Sequence, residues 1–450
     1  MNAQSAVSSG TWHLLALDLP PEVYGAPAHP KGMAQPWGRW ALSLIPADSP
    51  ASRPETSADT ATQVPVRAWI GRGPSVVSWG PTIEFAGTLE AASADYRAWA
   101  ASLDVDEGVR PFIRALGAFN YSDLSGKLEV PTLALWGQPY LETYLLWHDS
   151  RADEAAALIS AAKSAGPVPH LAGPQAQWQE AGASLPGTEW QQQVAQAISA
   201  MRAGQAQKVV LSRDVFWQAD RPVPVEQVLA ALVGHDDHEG QDASAWAFAV
   251  GDLVGASPEI LAQVHEGRFF ARILAGTRPA GRGKELWQDP KELAEHEAAR
   301  ASVIRRLESA GISEILAPPA RLLKLPQVEH LQSEVSGHCE GRDVAQLAAH
   351  FHPTAAICGQ PTVAAAALIK QLEGMDRGAF AGPVGWMDPA GDGQFNIALR
   401  CAQVPESSLR SPQKWRLLAG AGIMPSSVPA NEFSETGTKM GTMRSALGID

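Results

Sequence analysis

Between Pro65 and Trp147 short apolar runs recur in close succession: VRAWIG, VVSWG, TIEFAG, LEVPTLALWG and LETYLLWH. Each is rich in tryptophan and β-branched residues and bounded by turn residues, which is the pattern of strands. Further runs of this kind lie at Lys208–Phe216, Trp246–Val250, Ile260–His265, Phe269–Leu274 and Trp415–Leu418, and Trp40–Ile45 reads the same way. So many half-buried strands can be satisfied only in large sheets, and short connections favour antiparallel pairing. Helical spacing is expected at Ala91–Leu103, Glu107–Gly117, Arg151–Lys163, Glu189–Arg202, Asp289–Ser309, Val344–Phe351 and Thr362–Glu373, and after Glu432. The helix at Asp289 opens DPKE, with Asp289 as N-cap, Pro290 at the first helical position and Glu292 closing a capping box. The expected fold is α+β: a single large domain of stacked antiparallel β-sheets with helices packed outside. Residues 166–187, rich in proline and glycine, read as a connector. They separate 1–187, an N-terminal part with a loose initial segment, from 188–450, which carries the chemistry.

Composition narrows the partners. A formal charge of −13 argues against nucleic-acid or anionic-membrane surfaces, which require basic stripes. No apolar run is long enough to span a bilayer, and the first residues lack the pattern of a secretory leader. The three cysteines, Cys339, Cys358 and Cys401, form neither a CxxC pair nor an even framework. A cytoplasmic location with reduced thiols is expected.

The last hundred residues concentrate polar groups. Arg400 is placed on an alternating strand with Asn396 and Ala398 on its face, and Gly420 and Gly422 in a turn with accessible amides. Arginine and open amides suit a carboxylate, while the Glu432 and Glu435 carboxylates, on a helix with Lys439, suit Mg²⁺. On residue type alone these also read as a surface ion pair. Lys208 begins the strand KVVLSRDV, where a lysine is either a solvated edge charge or a general base. Glu259, after Pro258, is either a surface carboxylate or a general acid. Glu295 and His296 sit in HEAAR-like context that lacks the second histidine of a zinc motif. His235 and His238, in GHDDHEG, read as a hydrated acidic loop. His352 is either a satisfied core histidine or a pocket residue.

Taken together, these features are specific. The order KVVLSR, SPE, LAGTRPAGRG, KELAEH, HPTAAICG, RGAFAGPVGW, GDGQFNIALRCA, AGAGI, ETGTK resembles the chorismate-utilising enzymes across residues 188–447. Within that family it is most similar to the isochorismate synthases. The resemblance implies a chorismate pocket between the sheets and dependence on Mg²⁺. It implies Glu295 and Glu435 as Mg²⁺ ligands, with Glu432 acting through water. Arg400 and the backbone at Ala421 and Gly422 are implied to grip the side-chain carboxylate, with Lys439 also on the substrate. Gly276 and Thr277 would wall the reacting ring carbons, and His352 would approach the ring hydroxyl. Lys208 stands where ammonia-using relatives carry glutamine, which implies water as the nucleophile, with Lys208 as base and Glu259 as acid. Ala275 stands where aminodeoxychorismate synthases carry lysine. Salicylate synthases share the lysine at 208 but carry a threonine within the stretch corresponding to Ala355–Ile357. Ala355 and Gln394 depart from the family's usual HPTP and GDGE strings. The implied enzyme makes isochorismate for menaquinone or siderophore synthesis, as a monomer without a glutaminase subunit. A salicylate synthase, an ammonia-using anthranilate or aminodeoxychorismate synthase, and a catalytically dead chorismate-binding protein are the alternatives.

Overall fold

The structure is a computed structural model; it describes every residue except 1–9, 20–22, 24–33, 47–64, 72, 138–141, 164–172, 235–244, 325–327, 406–409 and 450. The GHDDHEG loop with His235 and His238, and most of the loose N-terminal segment, lie outside the described residues.

Two large antiparallel sheets dominate, one of twelve strands and one of ten. The centre of the first runs Val66–Ile70, Trp246–Val250, Leu253–Ser257, Cys401–Gln403, Lys414–Ile423, Lys208–Ala219. The second centres on Val328–His338, Arg268–Pro279, Ile260–His265, Gly393–Ile397, Pro383–Met387, Ala115–Phe119. Strands from both sides of residue 187 enter both sheets. The largest core cluster contains residues of both, including Trp69, Trp136 and Phe248 from the first and Phe119, Trp386 and Phe395 from the second. Trp136 and Trp386 meet edge to face at 6.5 Å across this interface, and the Arg114 guanidinium lies 4.8 Å from each ring. A second cluster covers the outer face of the twelve-stranded sheet, where the helices Ala34–Ser43, Val225–Gly234 and Pro429–Leu447 pack. The expected α+β architecture is thus the observed one.

Four local expectations are corrected. Trp40–Ile45 is not a strand: residues Ala34–Ser43 form a helix, and Trp37, Trp40 and Ala41 share its buried face at three- and four-residue spacing. Glu107–Gly117 is not a helix but a single 3₁₀ turn at Arg110–Phe112 followed by the strand Ala115–Phe119, which pairs with strands on both sides. Here sheet pairing overrides local preference. Asp289 does cap its helix, accepting from the Glu292 amide at 3.3 Å. Glu292 does not return the bond; its carboxylate accepts from the Thr277 amide at 3.2 Å and from Arg278 at 2.9 Å. Finally, Gly420 and Gly422 lie within the strand Lys414–Ile423, opposite Ser212 and Val210, and not in a turn beyond it.

Two chain segments cross between the sheets side by side. Leu253–Ser257 leaves the twelve-stranded sheet and continues through Pro258 and Glu259 into Ile260–His265 of the other. Gly393–Ile397 returns through Ala398–Arg400 into Cys401–Gln403. The crossings are bonded together: the Ile397 amide donates to the Glu259 carbonyl at 3.0 Å and the Ala256 amide to the Arg400 carbonyl at 3.2 Å. Arg400 is therefore not on a strand. It occupies the bend between sheets with φ +49°, a left-handed conformation that non-glycine residues rarely adopt and that tends to mark functional positions.

Candidate active site

Where the crossings part the sheets, a cavity of about 200 Å³ opens. The strand Lys208–Ala219 supplies Lys208, Val210 and Ser212; the facing strand supplies Ala419, Gly420 and Gly422. The crossings supply Pro258, Glu259, Leu399 and Arg400. Strand Arg268–Pro279 gives Leu274 to Arg278, helix Pro290–Ser309 gives Glu292 and Glu295, and helix Pro429–Leu447 gives Glu432, Glu435 and Lys439. Ten of the twelve site residues read from the sequence thus line one space: Lys208, Glu259, Gly276, Thr277, Glu295, Arg400, Gly422, Glu432, Glu435 and Lys439.

Two do not line it. Ala421 is buried in the cluster beneath the strand. The Val210 and Ser212 amides bond away from this strand, to the Cys358 carbonyl and Glu373. Antiparallel alternation therefore assigns the Leu211–Ala421 pair to the ladder and turns the Gly420 and Gly422 amides outward. His352 ends the helix Val344–Phe351, and its ring faces Tyr121, with Nε2 2.7 Å from the Tyr121 carbonyl. Burial pushes the His352 imidazole down to about 4, so it is neutral.

The histidine that does reach the cavity is His330. Its Nδ1 lies 3.0 Å from Thr277 Oγ1, while Nε2 is buried without a partner. Burial, reinforced by the positive Arg400 and Lys439, pushes it down to about 3. Sequence reading missed it because His330, Gln332, Glu334 and Ser336 alternate as a polar, solvent-like face. The strand instead lies inside the sheet, with His330 and Gln332 both buried.

The electrostatics divide the cavity. Burial pushes the Glu259 carboxyl up to about 8, against the opposing pull of Lys208, Arg400 and Lys439, so it holds its proton at neutral pH. Arg400, fully enclosed, is pushed by burial down to about 10, with Glu435 and Glu259 acting to raise it, and stays charged. Lys208 Nζ donates to Glu295 Oε1. Lys439 Nζ donates to Glu435 Oε1 at 2.7 Å and to the Gly420 carbonyl at 3.0 Å. Arg377, buried against Glu373, also lines the floor and donates to the Val210 and Ile357 carbonyls, tying the Lys208 strand to the Ala356–Ile357 wall. Gln394 donates to Asn396 at 2.8 Å within the sheet and is not part of the lining.

Among the described residues, no three His, Cys, Asp or Glu side chains are already converged as a metal-ligand set. The donor chemistry nevertheless fits a hard cation: Glu295, Glu432 and Glu435 present carboxylates to one cavity, and Mg²⁺ is commonly held by one or two carboxylates plus water and substrate oxygens. Glu292, committed to Thr277 and Arg278, is spoken for.

Gly422 leaves room for the Lys208 side chain to pass close over the strand. A Cβ there would come within 2.9 Å of Lys208 Cε and 3.4 Å of Nζ. Because those atoms end a flexible side chain, Gly422→Ala should leave the fold intact and displace the amine. The expected result is a fall in turnover of roughly 10-fold or more at unchanged melting temperature, since about 1 Å of misplacement can cost ~10²-fold. Wild-type turnover would show that the amine's position is not critical.

Comparison with known proteins identifies the family. The family described as chorismate binding enzyme matches residues 143–448. Isochorismate synthase DhbC of Bacillus subtilis is 34% identical over 278 residues, covering 57% of this chain and 67% of that one. The vibriobactin-specific isochorismate synthase of Vibrio cholerae is 32% identical over 280 residues, covering 59% and 68%. The structure of the menaquinone-specific isochorismate synthase MenF from Escherichia coli superposes with a TM-score of 0.73 at 21% identity, covering 98% of this chain and 95% of that one. A cavity of this make-up in this fold, and a family match across two-thirds of the sequence, place the chain in the chorismate-binding enzyme family.

Proposed function

We propose that this enzyme is an isochorismate synthase, converting chorismate reversibly to isochorismate with Mg²⁺ by adding water at C2 and releasing the C4 hydroxyl. The observation that carries the proposal is that an amine, Lys208, and a carboxyl held protonated, Glu259, share a cavity with Arg400 and Lys439. The isochorismate synthases of Bacillus subtilis and Vibrio cholerae, 34% and 32% identical to this chain, support it.

In this reading Arg400 and the outward Gly420 and Gly422 amides hold the enolpyruvyl carboxylate. Lys208, as general base, takes a proton from the water attacking C2. Glu259 gives its proton to the departing C4 oxygen, and the ring double bonds shift. Gly276 and Thr277 border the ring, and neutral His330 stands behind them, bonded to the Thr277 hydroxyl. Mg²⁺, held by Glu295 and Glu435 with Glu432 through water, would neutralise the ring carboxylate and compete with Lys208 for Glu295. Ala275 brings no amine to the cavity for a covalent route, and Ala356 and Ile357 present an aliphatic wall. Water as nucleophile requires no glutaminase subunit. The product would serve either menaquinone or siderophore synthesis.

Incubation with chorismate and Mg²⁺ followed by chromatography should yield isochorismate without pyruvate. Salicylate with pyruvate, or an aminated product formed with ammonium salts, would contradict the assignment. Glu435→Ala should abolish stimulation by Mg²⁺ in the same assay; an unchanged metal dependence would place the ion elsewhere.

A further inference from the structure

The strand that carries Lys208 has two edges of different kind. On one it pairs along its length with Lys414–Ile423, the strand of Gly420 and Gly422. On the other, backbone partners lie only near its ends. At the start, Lys208 and Val209 pair with Gln360 and Gly359, and the Val210 amide donates to the Cys358 carbonyl at 2.9 Å. At the far end, Trp217–Ala219 pairs with Trp178–Glu180. After Val210 side chains stand in for a strand. The Val210 carbonyl accepts from Arg377 Nη2 at 2.9 Å, the Ser212 amide donates to Glu373 Oε2 at 2.8 Å, and the Ser212 carbonyl accepts from the Trp190 indole at 2.9 Å. Val210 and Ser212 are buried, so without these groups their main-chain atoms would be unpaired away from water.

Arg377 also reaches the segment that peels away from this edge. Its Nη1 donates to the Ile357 carbonyl at 2.8 Å, while Nε and Nη2 grip the two oxygens of Glu373 at 2.6 Å each. The Tyr121 ring lies 4.2 Å from the guanidinium. The planar fork thus bridges two carbonyls where the segments part, two residues along the strand from Lys208. We propose that Arg377, held by Glu373, is a positioning residue that sets where the Lys208 amine stands in the cavity. The inference rests on the isochorismate synthase reading, in which Lys208 activates the attacking water. Gly422 gives the amine room on one side of the strand, and the bridged Val210 and Ile357 carbonyls hold the same end of the strand from its other edge. If that end shifts, the amine moves relative to C2. Arg400 and Lys439 stand on other segments, the sheet crossing and the last helix, and keep their places.

Arg377→Lys separates this role from packing. Lysine keeps a positive charge beside Glu373, but an ammonium cannot bridge both carbonyls and grip both carboxylate oxygens as the fork does. The expected result is a fall in kcat of roughly 10-fold with little change in KM, since about 1 Å of misplacement can cost ~10²-fold. Melting temperature falls under either role, so a double-mutant cycle decides between them. A residue that acts through Lys208 has nothing to position once the amine is gone. Arg377→Lys should therefore change kcat by less than about 2-fold in a Lys208→Ala background and keep its roughly 10-fold effect in a Glu259→Gln background. A merely structural role lowers kcat equally in both. Equal losses, a raised KM at unchanged kcat, or wild-type kinetics in Arg377→Lys alone would each overturn the proposal. Should Arg377→Lys not fold, the neutral pair Glu373→Gln with Arg377→Gln, which leaves no buried charge unmatched, enters the same cycle. Wild-type enzyme that forms no isochorismate from chorismate would instead overturn the function on which the positioning rests.

Discussion

Lys208→Ala should lower kcat by roughly 10²-fold or more while chorismate still binds, because general-base assistance contributes about 10²–10⁴-fold. The loss should fall on kcat and not on KM. In the proposed reading, substrate charge would be met by Arg400, Lys439 and the outward glycine amides, and not by the lysine. Lys208 is held over its neighbouring strand by the absence of side chain at Gly422 and by its bond to Glu295. Its removal opens space without breaking a strand contact, so circular dichroism and melting should change little. A variant that turns over like wild type would remove the lysine from the mechanism.

Glu259→Gln should produce a loss of similar size, again roughly 10²-fold or more, for the complementary reason. The amide preserves shape and burial but cannot deliver a proton to a leaving oxygen. The wild-type pH profile provides an independent reading of the same group. The Glu259 carboxyl, pushed up to about 8 by burial, is protonated below that value and ionises above it. An acid that must be protonated therefore gives a rate that is sustained at neutral pH and falls as pH rises through about 8. A chorismate dianion in the cavity moves this limb higher still, since added negative charge disfavours the carboxylate. Glu259→Gln should abolish the limb along with the rate. Persistence of the limb in the variant would assign it to another group.

Much of this architecture was legible in the sequence because it rests on short-range patterns. Period-two alternation located the Lys208 strand, and the DPKE string marked the start of the helix that carries Glu295. What escaped depends on contacts between distant segments. GQFNIALRCAQV reads as one continuous alternating strand, yet the chain leaves one sheet after Ile397 and enters the other at Cys401. Arg400 is in a left-handed bend for that reason, and nothing local announces it. Gly420 and Gly422 suggested a turn by composition, whereas they lie in mid-strand, where the missing side chain at Gly422 leaves room for Lys208. His330 was hidden in a polar alternation that the tertiary fold buries, while His352, in the more conspicuous HPT string, faces Tyr121 outside the cavity. Glu292 was assigned to a cap and serves instead to clamp Thr277 and Arg278 beside the cavity.

Oxygen labelling tests the central claim most directly. Turnover of chorismate with Mg²⁺ in ¹⁸O-enriched water, stopped early and analysed by mass spectrometry, should give isochorismate carrying one solvent oxygen at its C2 hydroxyl. Isochorismate without label would contradict water addition activated by Lys208, and pyruvate with an unlabelled aromatic product would contradict the assigned reaction altogether.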